Sequence, residues 1–336
     1  MPIAPNNSRE RLIMDSSASP KVLVMMATYN GARYVCEQIE SILVQQNVDV
    51  TLLISDDDSS DDTVALCREY EASGCPVHVK VNIPRLGVGM NFMSMVYGAD
   101  ADAYDAFAFS DQDDFWLPDK LLIAIEAINS FKSSSDAKRV PGYGTPILYC
   151  SDLLNVDENL ENPKAELASL SIDTSKRATP LIRNWYSGCT MVFNSDMVRL
   201  LQRKQYESFA RIHDAWVAMI ATYCGNLLVD LGHHEILRRN SGHNVVGALY
   251  EGKDFETSSI AHLSVEATHA CREAAIRMAQ DYGDLLSEAD RALVVSFSSY
   301  NCSLFAKINW AFSSEYKALT WPETLLMRIK FLADRY

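Results

Sequence analysis

The stretch FAFSDQDDFW, residues 107–116, sets Asp111, Asp113 and Asp114 directly behind an apolar run that reads as a buried strand. Like charges crowded at a strand end repel one another. Either a solvated loop at the sheet edge or a divalent cation carrying an anionic ligand relieves them. Other polar groups fall at other predicted strand ends. VLVMMATY (22–29) leads into Thr28, Tyr29 and Asn30, where short polar side chains flank a flat ring. They suit a nucleotide, or simply a turn. VTLLIS (50–55) ends on Asp56, Asp57 and Asp58; a carboxylate there can accept from a nucleobase imide or a sugar hydroxyl, or shape the turn. His213-Asp214 opens a predicted helix, where exposed N–H groups favour an anion. Asp214 could take a proton from a hydroxyl nucleophile there, with His213 orienting the turn and Trp216 either in the core or against a sugar face. In RRNSGHN, Arg238 and Arg239 offer forks that match phosphate oxygens, and a neutral His243 can bind a metal. A solvated basic turn is the plainer alternative.

These residues need a scaffold that brings them together. Strands and helices alternate: a helix with Val35, Ile39 and Ile42 at helical spacing, and another from SSDDT to about Ser73, capped by Ser60 or Asp61. The strand VHVKV follows, then glycines 87 and 89 ahead of an apolar helix, strand DAFAFS, and a helix begun by Pro118 with Asp119 as its cap. That rhythm predicts an α/β fold with a mostly parallel sheet covered on both faces, which gathers ligands at the carboxyl ends of its strands. Residues 151–180 read as an irregular connection with short helices, SGCTMVF (187–193) as a strand, NLLVDL as another, and 250–336 as mainly helical. The expected units are a flexible lead-in over 1–20, a catalytic domain over 21–249 and a helical extension over 250–336.

Composition narrows the function. With 30 basic against 44 acidic residues the net charge is −14, which argues against nucleic acid as a partner. An anionic ligand would therefore need a metal or a few placed arginines. The eight cysteines are scattered without a CxxC pair, as reduced thiols of a cytoplasmic protein would be. No apolar stretch reaches transmembrane length. The apolar residues of PETLLMRIKFLADRY suit either packing on the catalytic domain or a surface helix, which leaves peripheral membrane contact open. A Rossmann dehydrogenase would want GxGxxG after the first strand. A phosphatase of the DxD type would want its aspartate there, and this strand ends in ATYNG.

The segments VLVMMATYNGARYVCEQIESILVQQ, ISDDDSSDDT, LGVGMNFMSMV, FSDQDDFWLPDKL, CSDLLNVDENL, NWYSGCTMVFN, HDAWVAMIA and NVVG occur in an order that resembles the family-2 glycosyltransferases. Within that family the chain looks most like the bacterial rhamnosyltransferases of surface-polysaccharide synthesis, such as those of O-antigen. The resemblance covers about residues 21–250 and implies a GT-A nucleotide-diphospho-sugar transferase fold. The implied reaction is inverting transfer of L-rhamnose from dTDP-L-rhamnose to a hydroxyl of a growing cell-surface glycan, free or lipid-linked. UDP-glucose or UDP-galactose are alternative donors, and a non-catalytic interaction protein on the same fold is the alternative outside enzymes. A lipid-linked acceptor would place the work at the inner face of the cytoplasmic membrane. Thr28, Tyr29, Asn30 and Asp56 match the nucleoside-binding positions. Asp111 matches the acid directed at the ribose, and Asp113 the ligand of a magnesium or manganese ion that bridges the diphosphate. Asp214 matches the general base, and Gly188, Cys189 and Thr190 match the acceptor-side loop beside His213 and Trp216. The family commonly has glycine where this chain has Asp58. An RQHxxN-like segment is common in the subgroup; aligned on Asn244, its histidine falls on Ser241, with His243 two positions later.

Overall fold

A computed structural model of the chain describes residues 18–167, 176–208, 212–239, 269–316 and 321–336. Most of the expected lead-in and His243 lie outside the described residues. The main sheet contains β1 (Lys21–Thr28), β2 (Asp49–Asp56), β3 (Val77–Val81), β4 (Ala106–Ser110), β6 (Ile147–Ser151), β9 (Met191–Asn194) and β10 (Asn226–Asp230). Their order across the sheet is β10-β6-β9-β4-β1-β2-β3. β1 pairs in parallel with β2 and β4, β2 with β3, and β6 with β10, whereas β9 runs antiparallel between β4 and β6. Mostly parallel, as the alternation predicts, the sheet has one reversed strand. That reversal sets the turn before β9 beside the carboxyl end of β4.

Alternate residues of a strand face opposite sides. Val22, Val24 and Met26 of β1 are therefore buried against α1 (Val35–Leu43), α2 (Thr63–Ala72) and α4 (Lys120–Lys132), while Leu23 and Met25 join α3 (Val88–Gly98), α6 (Ser195–Leu201) and α7 (His213–Cys224) in the other layer. That second layer is continuous with the C-terminal helices through Ala275, Met278, Trp310 and Phe331.

A smaller sheet departs from the sequence reading. β5 (Phe115–Trp116), β11 (Ile236–Arg239), β7 (Leu154–Val156) and β8 (Lys164–Ala165) pair in that order. Among its described residues the connection at 151–180 thus contains strands, with the short helix α5 (Thr179–Ile182) starting at its end. The predicted strand over 187–193 begins instead with a 3₁₀ turn, Gly188–Thr190. Asp119 holds the N-cap position of α4 without a side-chain cap bond. At α2 the N-cap is Asp62, also without one. All eight cysteines are unpaired, and four are buried.

Candidate active site

The carboxyl ends of β1, β2 and β4 converge because the three strands lie side by side. At the first two, Thr28 Oγ1 donates to Asp56 at 2.7 Å, and Ser59 gives the same carboxylate its N–H (2.8 Å) and its hydroxyl (2.6 Å). Asn30 closes the corner: its N–H donates to Ser59 Oγ, and its Oδ1 accepts from Ser60 N. Asp58 has φ +65°, the left-handed conformation that favours glycine and that Asp tolerates better than most residues. Asp57 turns the other way and accepts from the N–H groups of Leu86 (2.7 Å) and Gly87 (2.8 Å). That fixes a loop whose Arg85 lies 3.6 Å over the ring of Tyr29, which is 39% exposed.

The turn after β4 is held from two sides. Ser110 accepts from Gln38 Nε2 at 2.9 Å, and Ser41 of the same helix α1 accepts from Trp116 N at 3.1 Å, so both ends of the turn are tied to α1. Between the two acids, Gln112 clasps the backbone of Tyr29, accepting from its N–H at 2.9 Å and donating to its carbonyl at 3.0 Å. The clasp needs Gly31: a Cβ there would come within 2.1 Å of Gln112 Oε1.

The acids so placed form one electrostatic cluster. Burial, then the charges of Asp113 and Asp214, push the Asp111 carboxyl up to about 7, with Arg238 acting in the opposite direction. Asp114 is buried and raised well above its ordinary range by burial and by Asp111 and Asp113. Neither of its oxygens meets an N–H or O–H donor. One ligand atom each from Asp111, Asp114 and Cys189 lie within 4.8 Å of one another. The Cys189 thiol is itself held protonated by burial and its acidic neighbours, so the hard donors here are carboxylates. Crowded carboxylates, one of them buried with only the Cys189 thiol as a donor, fit a hard divalent cation such as magnesium or manganese. Lys120 lies buried behind them, 3.5 Å over the Trp116 ring, and burial lowers its ammonium to about 7.

β11 supplies the opposing charge. It pairs antiparallel with β5, Leu237 against Phe115, and continuing that register sets Arg238 across from Asp114. Arg238 donates to Asn155 Oδ1 (2.9 and 2.7 Å) and Ser187 Oγ (3.0 Å), and pairs with Glu166. Arg239 points elsewhere, pairing with Glu37 and stacking on Tyr34.

α7 delivers Asp214 in its first turn, where the carboxylate accepts from Ala215 N and its charge reaches Asp111. Its neighbours turn inward. His213 is 3% exposed, stacks on Phe92 at 4.0 Å and meets Phe109 edge-on at 5.1 Å; burial alone lowers it to about 3, so it is neutral. Gly188 admits it, since a Cβ there would stand 2.7 Å from His213 Nε2. Trp216 is buried edge-on to Tyr206 and Tyr282, in the core rather than on a surface. Thr190 Oγ1 donates to Ser187 O within its own turn.

The structure thus gathers Asp111, Asp113, Asp114, Asp214, Cys189 and Arg238 at one end of the sheet, with Thr28, Tyr29, Asn30 and Asp56 alongside. It does not bring Arg239, His213 or Trp216 to that opening. Gln112, Lys120 and Arg85 were missed by sequence reasoning. Gln112 looks like a spacer between two acids, and only the closeness of Gly31 in the adjacent strand end gives it a role.

Residues 23–149 match the model of Glycosyl transferase family 2. The dTDP-rhamnosyl transferase RfbG of Shigella flexneri is 39% identical over 105 residues, 31% of this chain and 36% of that protein. An uncharacterized glycosyltransferase, RT0329 of Rickettsia typhi, is 26% identical over 182 residues, 53% and 51% of the two chains. The chain therefore spans about half or less of the length of these relatives. Among solved structures, S. aureus TarS 1-349 in complex with UDP-GlcNAc superposes with a TM-score of 0.56 at 14% identity, covering 94% of this chain and 82% of that one, a likeness of fold. Residues 23–149 accordingly resemble glycosyl transferase family 2, and the chain that carries them has the GT-A fold.

Proposed function

We propose that the chain transfers a sugar, L-rhamnose from dTDP-L-rhamnose, to a hydroxyl of a growing glycan with inversion at the anomeric carbon. The observation that carries this reading is the convergence of the Asp111–Asp114 turn, Arg238 and Asp214 at the carboxyl ends of β1, β2 and β4. The partial match to a dTDP-rhamnosyl transferase supports the choice of donor. In this reading Asp56 and the Thr28–Asn30 corner receive the nucleoside, with Tyr29 and Arg85 as a flat platform. Asp113, with Asp111 and Asp114 beside it, would hold a magnesium or manganese ion, which supplies Lewis-acid stabilisation of leaving-group charge when bound. Asp214 accepts the proton of the acceptor hydroxyl as that oxygen bonds to the anomeric carbon. The bond to the diphosphate breaks on the opposite face, and Arg238 meets the charge that develops there. A β-linked donor then gives an α-linked product.

Incubation with dTDP-L-rhamnose, UDP-glucose and UDP-galactose, in the presence of manganese and a glycan acceptor, tests the proposal. Preferred release of dTDP is expected. Preferred release of UDP would replace the donor and keep the reaction. No nucleotide release from any donor would favour a non-catalytic binding role.

A further inference from the structure

The two last helices, Leu304–Ala311 and Trp321–Leu332, each carry two apolar faces. In the second, Met327 and Phe331 are buried, with Glu323 on their side, whereas Trp321, Leu325, Ile329 and Leu332 are exposed. At about 100° per residue these two sets fall on opposite sides of the helix. In the first, Trp310 and Ala311 are buried, and Leu304, Phe305 and Ile308 face outward together with Phe312 just beyond its end. Exposure along the two outward stripes runs from 41% at Ile308 to 74% at Trp321. The stripes meet, because the Arg328 guanidinium lies 4.9 Å over the Phe312 ring. Single exposed apolar residues are ordinary, but a joined surface of this kind, on the order of several hundred Å², marks an interaction site.

We infer that this face lies on the surface of an anionic lipid bilayer. Charge selects that partner. Residues 304–336 hold five Lys or Arg against three Asp or Glu, net +2, in a chain of net charge −14. Two of the three acids turn away from the stripes, as do two of the five bases: Glu323 pairs with Arg183, Asp334 accepts from Tyr300 Oη at 2.9 Å and faces Lys307 at 3.8 Å, and Lys330 lies 5.6 Å from the Tyr336 ring. Arg328 stays beside the apolar surface, and the acidic remainder of the chain would be repelled by anionic headgroups, which orients this face toward them. Trp321, Phe305 and Phe312 are residues suited to the headgroup boundary. No described helix is long and apolar enough to cross a membrane, so the contact is one of lying on the surface. The inference is independent of the transfer reading, since lipid binding is measured without turnover.

The test is flotation of the full chain with phosphatidylglycerol/phosphatidylethanolamine vesicles, with phosphatidylcholine vesicles, and without lipid. The parent should float with the anionic vesicles and far less with phosphatidylcholine. The F305S/L325Q/I329Q variant, altered only at exposed positions, should bind about tenfold more weakly or worse from the apolar area removed, with an unchanged thermal melt. R328E should bind more weakly, and more so at low salt. A parent that stays at the bottom with anionic vesicles, or a triple variant that floats like the parent, overturns the inference. A parent dimer that the triple variant turns into a monomer, without flotation, assigns the face to a second copy of the chain and also overturns it.

Discussion

Replacing Gly31 by alanine tests how the DQDD turn is held. The added Cβ would stand 2.1 Å from Gln112 Oε1, 2.4 Å from its Cδ and 3.0 Å from its Nε2, so Gln112 must leave. Two hydrogen bonds to the Tyr29 backbone go with it. At about 1 kcal/mol each this costs about 2 kcal/mol. The backbone of Gly31 is not in the left-handed region, so alanine should return roughly 0.5–1 kcal/mol by restricting the unfolded chain. The net expectation is a loss of about 1–1.5 kcal/mol for G31A. In a Q112A background the clash is gone, so G31A should be neutral or stabilising by roughly 0.5–1 kcal/mol. The double-mutant cycle, from urea unfolding at constant m-value, should give a coupling of about 2 kcal/mol. Both single variants should also weaken nucleotide binding, because Gln112 joins the strand end that carries Tyr29 to the one that carries Asp111 and Asp113. A coupling near zero, or a G31A protein as stable as its parent, would refute the clasp.

Two further outcomes follow from the same structure. Asp214→Asn should lower single-turnover transfer by a factor of roughly 10²–10⁴ while donor binding stays near parental, and a parental rate would remove Asp214 as the base. Burial holds His213 at about 3, below its ordinary 6.5. The unfolded chain therefore takes up a proton near pH 6.5 that the folded chain refuses, so this contribution is complete above 6.5 and is lost as pH falls toward 3; by pH 5 it amounts to about 2 kcal/mol. His213→Leu should show about 2 kcal/mol less loss of stability between pH 7.5 and 5, and equal acid sensitivity of the two proteins would contradict a buried neutral histidine.

Much of the scaffold was legible because its strands are apolar runs whose ends are marked by polar clusters. VHVKV is read residue for residue as β3, and DAFAFS contains β4. What escaped was what such runs do not encode. β9 is four buried residues, with no pattern to say that it runs backward. β5 and β8 are two residues each, too short for any period, so the small sheet that carries Arg238 toward the acids could not be foreseen. At the opening, Asp111, Asp113 and Asp214 were nameable from residue type and place. The inward turn of His213 was not, because only the fold brings Phe92 of α3 and Phe109 of β4 against this helix start, and for Trp216 the sequence left core and surface open until Tyr206 and Tyr282 were seen to enclose it.

The central claim is that the turn after β4 binds a nucleoside diphosphate through a divalent cation. Calorimetric titration of the full chain with dTDP and with UDP, in manganese or in chelator, for the parent and for Asp113→Asn, measures this directly. Binding of at least one nucleotide by the parent should need the cation, and D113N should weaken it by about 100-fold or more, at or beyond what loss of an outer-shell partner costs. Tight binding in chelator, or D113N binding as the parent does, would contradict a metal-mediated role for Asp113.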